Sequence, residues 1–218
     1  MVMIRKAAIS RKISLYNEAI LRAERTLVQR KLVIRKDGPK HSVENARPDQ
    51  HIIFKTNAER FSLHVMTQPD VLLEIFSRVP FLIKDNFADL GCGLGMQCFI
   101  AANFFKQVTG FEFNKDVFSQ AEKIRTRFKL NNVRFRNEDF LNADLRPYNA
   151  LFMYLPFYND FVESMSEKLK ETTPGTFIIS FKYSEKNVFP NKYFKAIYPD
   201  KYMGICNTLP STFVFERK

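Results

Sequence analysis

"FADLGCGLGMQC", residues 87–98, sets three glycines at alternate positions directly after a short apolar run that ends on an aspartate. A bare, tight turn between a strand and the next helix lets a ligand approach the backbone at the carboxyl edge of a doubly wound sheet, where such folds bind nucleotides. Gly91, Gly93 and Gly95 would make that turn, with Asp89 just ahead of it. The dinucleotide fingerprint G-x-G-x-x-G, counted from Gly91, requires a glycine at 96, and that residue is Met96, so dinucleotide binding is disfavoured. A strand-to-helix turn without any ligand would also use glycine. The surrounding sequence has to decide between the two.

Outward from the loop the chain alternates. Strand-like runs stand at "NFADL", "QVTGFEF", "VRFRNED", "NALFMYLP" and "TFIISF", separated by helix-like runs at 95–106, 115–130 and 160–170. Strand, helix, strand in this rhythm implies a parallel sheet covered on both faces. The segment between 139 and 149 is short for a helical crossover, and the tail adds "YFKAIYP" and "STFVFERK", which suit an antiparallel hairpin at one edge. Ahead of the loop, "TQPDVLLEIFSRVP" reads as a helix with Pro69 in its first turn and Pro80 beyond its end.

Composition narrows the function classes. At 218 residues and 45% hydrophobic the chain is long enough for one sizeable core. Its longest apolar run, "ALFMYLPFY" at 150–158, falls short of the roughly 18 residues a membrane-spanning helix needs, so a soluble protein is expected. Three cysteines without framework spacing argue for a reducing compartment, the cytoplasm first and the mitochondrion or nucleus as alternatives. With scattered histidines and no CxxC, HxxxH, EF-hand or G-x-S-x-G pattern, neither a metal site nor acyl-transfer chemistry is expected.

Charge is concentrated at the amino terminus. Residues 1–48 hold twelve Lys or Arg against four acids, a net +8 of the chain's +11. Within this segment Ile13, Ile20, Leu27 and Ile34 recur every seven residues, with Tyr16 and Ala23 three residues after the first two, which predicts one amphipathic helix carrying a narrow apolar stripe. Three readings stay open. The helix packs on the main domain with a solvated charged face; it is an electrostatic arm for nucleic acid, a nucleic-acid-bound protein or an acidic partner; or its acid-free first seventeen residues form a mitochondrial transit peptide. "KDGPKHSVENARPDQ", 36–50, reads as a linker, dividing a basic helical arm and linker at 1–50 from a domain at 51–218. A macromolecular, polyanionic substrate contacted by the arm is the expected partner, and no membrane is.

At the end of the second strand, "GFEFN" places Glu112 21 residues after Gly91, the separation at which an acid reaches ribose hydroxyls in such folds. A carboxylate accepts two hydrogen bonds from a vicinal diol. The alternative is a helix-start acid, two residues before the cap candidate Asn114.

The glycine stretch resembles the D-x-G-x-G-x-G loop of class I S-adenosylmethionine-dependent methyltransferases, and the superfamily resemblance spans about residues 60–185. It implies an α/β fold: a doubly wound, mostly parallel seven-strand sheet with helices on both faces, here with an N-terminal basic helical extension. It also implies S-adenosyl-L-methionine as cofactor, held by Asp89, Gly91, Gly93, Gly95 and Glu112, with Asp139 and Phe140 of "NEDFLN" on the adenine. Asp139 could equally be a turn residue and Phe140 a core ring. The fourth strand should end at the chemistry. Amino-methylating members of the superfamily often carry Asn or Asp there, before Pro-Pro and an aromatic. This chain has "MYLPF", so Pro156 and Phe157 match while Tyr154 stands in the polar position. An aromatic-lined pocket suits a lysine amine or a sulfonium through cation–π attraction. The run "HVMTQPDVLLEIF" followed by these motifs is similar to the non-SET lysine methyltransferases, including histone-lysine enzymes of the disruptor-of-telomeric-silencing type. That likeness implies a cofactor-covering loop bearing Thr67 and a protein-lysine substrate. An RNA or DNA methyltransferase, and a non-catalytic module that keeps the fold and cofactor, are the alternatives.

Overall fold

The computed structural model describes residues 2–29, 33–35, 51–54, 63–65, 72, 73, 76, 85–154, 159–181, 189–198 and 212–218. Of the expected site residues, Thr67, Pro156 and Phe157 lie outside them, as do the 36–50 linker and most of the predicted 67–80 helix, of which Leu72, Leu73 and Phe76 are helical.

One seven-stranded sheet organises the chain. Its strands are β4 (Asn86–Leu90), β5 (Gln107–Phe111), β6 (Val133–Arg136), β7 (Ala150–Tyr154), β8 (Phe177–Phe181), β9 (Phe194–Tyr198) and β10 (Thr212–Arg217), in the order β6-β5-β4-β7-β8-β10-β9. The first five run parallel, while β10 is antiparallel to both neighbours. The tail thus forms the expected antiparallel hairpin, with its second strand inserted next to β8. A smaller antiparallel sheet joins β1 (Val33–Arg35), β2 (His51–Phe54) and β3 (Leu63–Val65), strands that the sequence reading did not anticipate. The division drawn at residue 50 therefore passes between β1 and β2, which pair with each other.

Side chains of the central strands alternate between two cores, as a sheet covered on both faces requires. Phe87, Val108, Ala150 and Phe152 join one cluster; Ala88, Leu90, Phe111, Leu151 and Met153 join the other. Edge strand β6 keeps Val133 and Phe135 inside and turns Arg134 and Arg136 outward. The covering helices are α1 (Val2–Gln29), α2 (Met96–Ala101), α3 (Lys115–Arg127) and α4 (Asn159–Lys170). Helix α3 starts where the Asn114 side chain accepts the Asp116 and Val117 N–H groups at 3.0 and 3.2 Å, and Arg125 and Arg127 sit in its last turn, where the helix dipole favours cations.

Helix α1 is docked on the domain. Ile13, Tyr16, Ile20, Ala23 and Leu27 are buried in the first core, with the Tyr16 ring 5.3 Å from Phe99 and edge-on to Phe128 at 4.7 Å. Ile34 corrects the predicted stripe. The helix stops at Gln29, and the β-branched pair Val33–Ile34 lies in β1, opposite Phe54 and Ile53.

Candidate active site

The carboxyl ends of β4, β5, β6 and β7 lie side by side. Register pairs Leu90 with Phe111 and Met153, and Phe111 with Arg136. The residues that follow these strands, Gly91 after β4, Glu112 after β5 and Asp139 after β6, therefore share one edge with Tyr154, the last residue of β7.

The glycine loop is a chain of left-handed turns. Gly91, Gly93 and Gly95 have φ of +87°, +55° and +88°, a region that costs any residue with a Cβ about 1–2 kcal/mol. The N–H groups of Gly91 and Cys92 both donate to the Phe111 carbonyl, at 3.0 and 2.8 Å, which ties the loop to β5. The glycines then divide by what surrounds them. A Cβ on Gly91 would meet nothing within 4 Å; on Gly95 it would lie 2.4 Å from Cζ of Phe135. Gly95 is thus required by packing under the loop, and Gly91 faces open space at which a ligand can approach.

Glu112 clamps the loop from the second strand. Its Oε2 accepts the Gly93 N–H at 3.0 Å and its Oε1 accepts the Asn114 N–H at 2.7 Å, so it joins the glycine turn to the start of α3 while 8% exposed. The helix-start role and the loop-edge position are both realised in one side chain. A carboxylate offers about four lone-pair sites and so can accept from several donors at once.

Beneath the loop lies a buried acid–thiol cluster. Asp89, 1% exposed, accepts a long hydrogen bond from the Cys98 thiol at 3.7 Å, and the Cys92 thiol donates to the Gly93 carbonyl at 3.7 Å. Burial pushes the Asp89 carboxyl up to about 8; the Cys98 hydrogen bond opposes that and the Glu112 charge adds to it. Burial likewise raises Cys98 to about 11 and Cys92 well above the ordinary thiol range, so both are neutral thiols at pH 7. Asp89 is the floor of the loop.

The remaining expected residues divide between edge and core. Asp139 caps the short 3₁₀ turn Phe140–Asn142 by accepting the Leu141 N–H at 3.0 Å, and Phe140 is buried in the second core. Tyr154 is half-buried, and burial moves its phenol up to about 12. One residue was missed. Phe113, 58% exposed, stands immediately after Glu112, and its carbonyl and that of Glu112 are both held by the Asn137 amide, at 3.0 and 2.9 Å. Sequence reading ran the second strand through Phe113, whereas β5 ends at Phe111. An apolar residue past the strand end, next to the acid, was the available signal. Among the described residues no group of three or more His, Cys, Asp or Glu could hold a metal ion, and no helix is long and apolar enough to cross a membrane.

The profile of the ANTKMT methyltransferase domain matches residues 89–192, from the acid under the loop to the tail hairpin. The same topology recurs in yhhF of Escherichia coli, assigned as a methyltransferase, with a TM-score of 0.56 at 18% identity over 70% of this chain and 88% of that one. It recurs too in an RNA methyltransferase from Salinibacter ruber, solved with S-adenosyl-L-homocysteine, with a TM-score of 0.51 at 19% identity over 70% and 91%. The chain has the fold of the class I S-adenosylmethionine-dependent methyltransferases, with the methyltransferase-domain match lying on its central strands. No curated sequence matches it. At such identities the solved structures speak for the fold alone, and the activity and substrate have to be argued from this chain's own residues. The residues present fit the cofactor: an open glycine at the strand edge, a carboxylate at the second strand end and an exposed aromatic beside it.

Proposed function

We propose that this methyltransferase N-methylates the side-chain amine of a protein lysine. S-adenosylmethionine supplies, when bound, an electrophilic methyl group for in-line transfer to a nucleophile. In this reading Gly91 and Gly93 give it backbone room, Glu112 receives its ribose hydroxyls, Phe113 offers an apolar face to the adenine beside Asp139, and Thr67 belongs to the covering segment.

The carrying observation is Tyr154. It occupies the strand end where a polar Asn or Asp would accept a hydrogen bond from an amide or nucleobase amine, and its phenol is held neutral with a pKa of about 12. A lysine ammonium of ordinary pKa near 10.4 costs about 4–5 kcal/mol to present neutral at pH 7. An apolar aromatic surface lowers that cost by disfavouring the charged form, and a neutral phenol, unlike a carboxylate, does not hold the proton on. The lysine proton leaves to water before transfer, and the site's contribution is alignment and desolvation. Pro156 and Phe157 would extend the same wall. The buried free thiols Cys92 and Cys98 agree with a reducing, cytoplasmic setting.

The test uses radiolabelled cofactor with the purified enzyme and a cell extract treated with either nuclease or protease. Label that survives nuclease, is lost with protease and is recovered as N-methyllysine after acid hydrolysis is the expected outcome. Label that follows the nuclease-sensitive fraction would overturn the lysine reading in favour of a nucleic-acid substrate.

A further inference from the structure

The chain's positive charge does not end with the amino-terminal helix. Among the described side chains of α1 the exposed cations are Arg11, Lys12, Arg22 and Arg25, against one exposed acid, Glu18, which pairs with Arg22. Tyr16 of this helix meets Phe128, the residue directly after α3, and the guanidinium of Arg127 lies 5.6 Å above the same Phe128 ring. The helix is thus docked through Tyr16 beside the end of α3, and the α3–β6 edge carries a second set of cations far from α1 in sequence: Lys123, Arg125, Arg127, Lys129 and Arg134. A cleft of about 260 Å³ opens within this second set, lined by Gln107, Glu122, Arg125, Asn131, Val133 and Arg134. Glu122 is bonded to Arg125, with Nε 2.9 Å from Oε2, which fixes that guanidinium beside the outward-turned Arg134. Gln107 and Val133 begin β5 and β6, so the cleft lies at the amino edge of the sheet, away from the glycine loop.

From this contact we infer that the outer face of α1 and the α3–β6 edge form one surface that binds the phosphate backbone of a structured RNA, with the cleft seating a phosphate. Three features select this partner. The nine cations against Glu18 and Glu122 make a field of one sign, as a polyanion requires. Six of the nine are arginines, whose planar fork bonds phosphate oxygens two at a time, and the cleft adds the amides of Gln107 and Asn131 as neutral donors. The apolar stripe of α1 is already spent on the domain core, leaving Leu15 as the exposed large hydrophobic residue among the described side chains of the helix, whereas a helix lying in a lipid surface keeps its apolar face for the membrane. The surface is independent of which atom is methylated, so its test needs no methyl transfer.

The experiment titrates the full chain into a fluorescein-labelled RNA duplex across a salt series, beside the triple variant Arg127→Gln, Lys129→Gln, Arg134→Gln. Roughly five of the nine cations reach phosphate at once, giving a log–log salt slope of magnitude about 4 to 5 and a loss of several hundred-fold in affinity between 50 and 200 mM salt. Neutralising three contacts should lower the slope by about 2 to 3 and weaken binding roughly 100-fold at 100 mM salt. The variant's melting temperature should fall by no more than a few degrees, since Arg127 leaves the α3 C-terminus and the Phe128 ring, and its shift with S-adenosylhomocysteine should stay at the wild-type value. A variant that binds the duplex with unchanged affinity and slope overturns the proposal. So does a wild-type protein that ignores the duplex but binds phosphatidylserine–phosphatidylcholine vesicles, and there the three substitutions would act on the vesicle arm instead.

Discussion

Replacing Asp89 by Asn should stabilise the cofactor-free enzyme, and by an amount that grows with pH. The carboxyl is 1% exposed, its hydrogen bond from the Cys98 thiol is long and weak, and its pKa is raised from 3.8 to about 8. Between those values the unfolded chain has released this proton and the folded chain keeps it, so the folded state binds one proton more and stability falls as pH rises. Each pH unit in the window costs up to about 1.4 kcal/mol, and the whole window up to about 6 kcal/mol, an upper bound because real interiors relax around charge. Asparagine keeps the shape and does not titrate. Its extra N–H pair, if unmatched in the pocket, costs about 1–3 kcal/mol, but that offset is the same at every pH. Urea denaturation at pH 5, 6, 7 and 8 and constant ionic strength should therefore show the variant gaining on the wild type by about 0.7 to 1.4 kcal/mol per unit, levelling off above pH 8. Parallel stability curves would show that Asp89 is already ionised in the fold at neutral pH, and the account of a neutral acid under the loop would fail.

Five further substitutions, at four positions, separate ligand-facing from structural roles. Gly95→Ala should cost about 2–4 kcal/mol of stability, because its Cβ would fall 2.4 Å from Phe135 at positive φ, whereas Gly91→Ala should cost only about 1–2 kcal/mol yet weaken cofactor binding; melting curves with and without S-adenosylhomocysteine measure both. Glu112→Ala should weaken cofactor affinity by about 1–3 kcal/mol, read by calorimetry, and lower the melting temperature too, since the Gly93 and Asn114 N–H groups lose their acceptor. Tyr154→Phe should keep methyl transfer within a few-fold, since the ring and not the hydroxyl is used, while Tyr154→Ala should raise the apparent pKa of the lysine substrate in the pH–rate profile.

The sheet was readable because each strand and turn declares itself locally. "NFADL" followed by glycines, Asn114 ahead of a helix and the tail pair of aromatic strands need only their near neighbours. Glu112 was readable for a related reason, since one strand–helix–strand unit fixes its distance from Gly91. What escaped depended on contacts between remote segments. No Gly or Pro marks the end of α1, so the heptad stripe ran on to Ile34, and only pairing with β2 turns that residue into a strand. The packing demand at Gly95 comes from Phe135 on β6, which nothing near the loop reveals. Arg11 and Lys12 give no hint of the α3 end, and only the packing of Tyr16 against Phe128 sets α1 beside it. Phe113 was absorbed into an apolar alternation that continues two residues beyond the true end of β5.

The central claim is tested most directly by melting the purified chain with S-adenosylhomocysteine and, separately, with NAD. A ligand at 100 times its dissociation constant stabilises the native state by about 2.7 kcal/mol, which for a domain of this size raises the melting temperature by roughly 5–10 °C. The account predicts that rise with S-adenosylhomocysteine, a clearly smaller rise in Glu112→Ala at the same ligand concentration, and no rise with NAD. An unchanged melting temperature at roughly millimolar S-adenosylhomocysteine, or an equal rise with NAD, would contradict it.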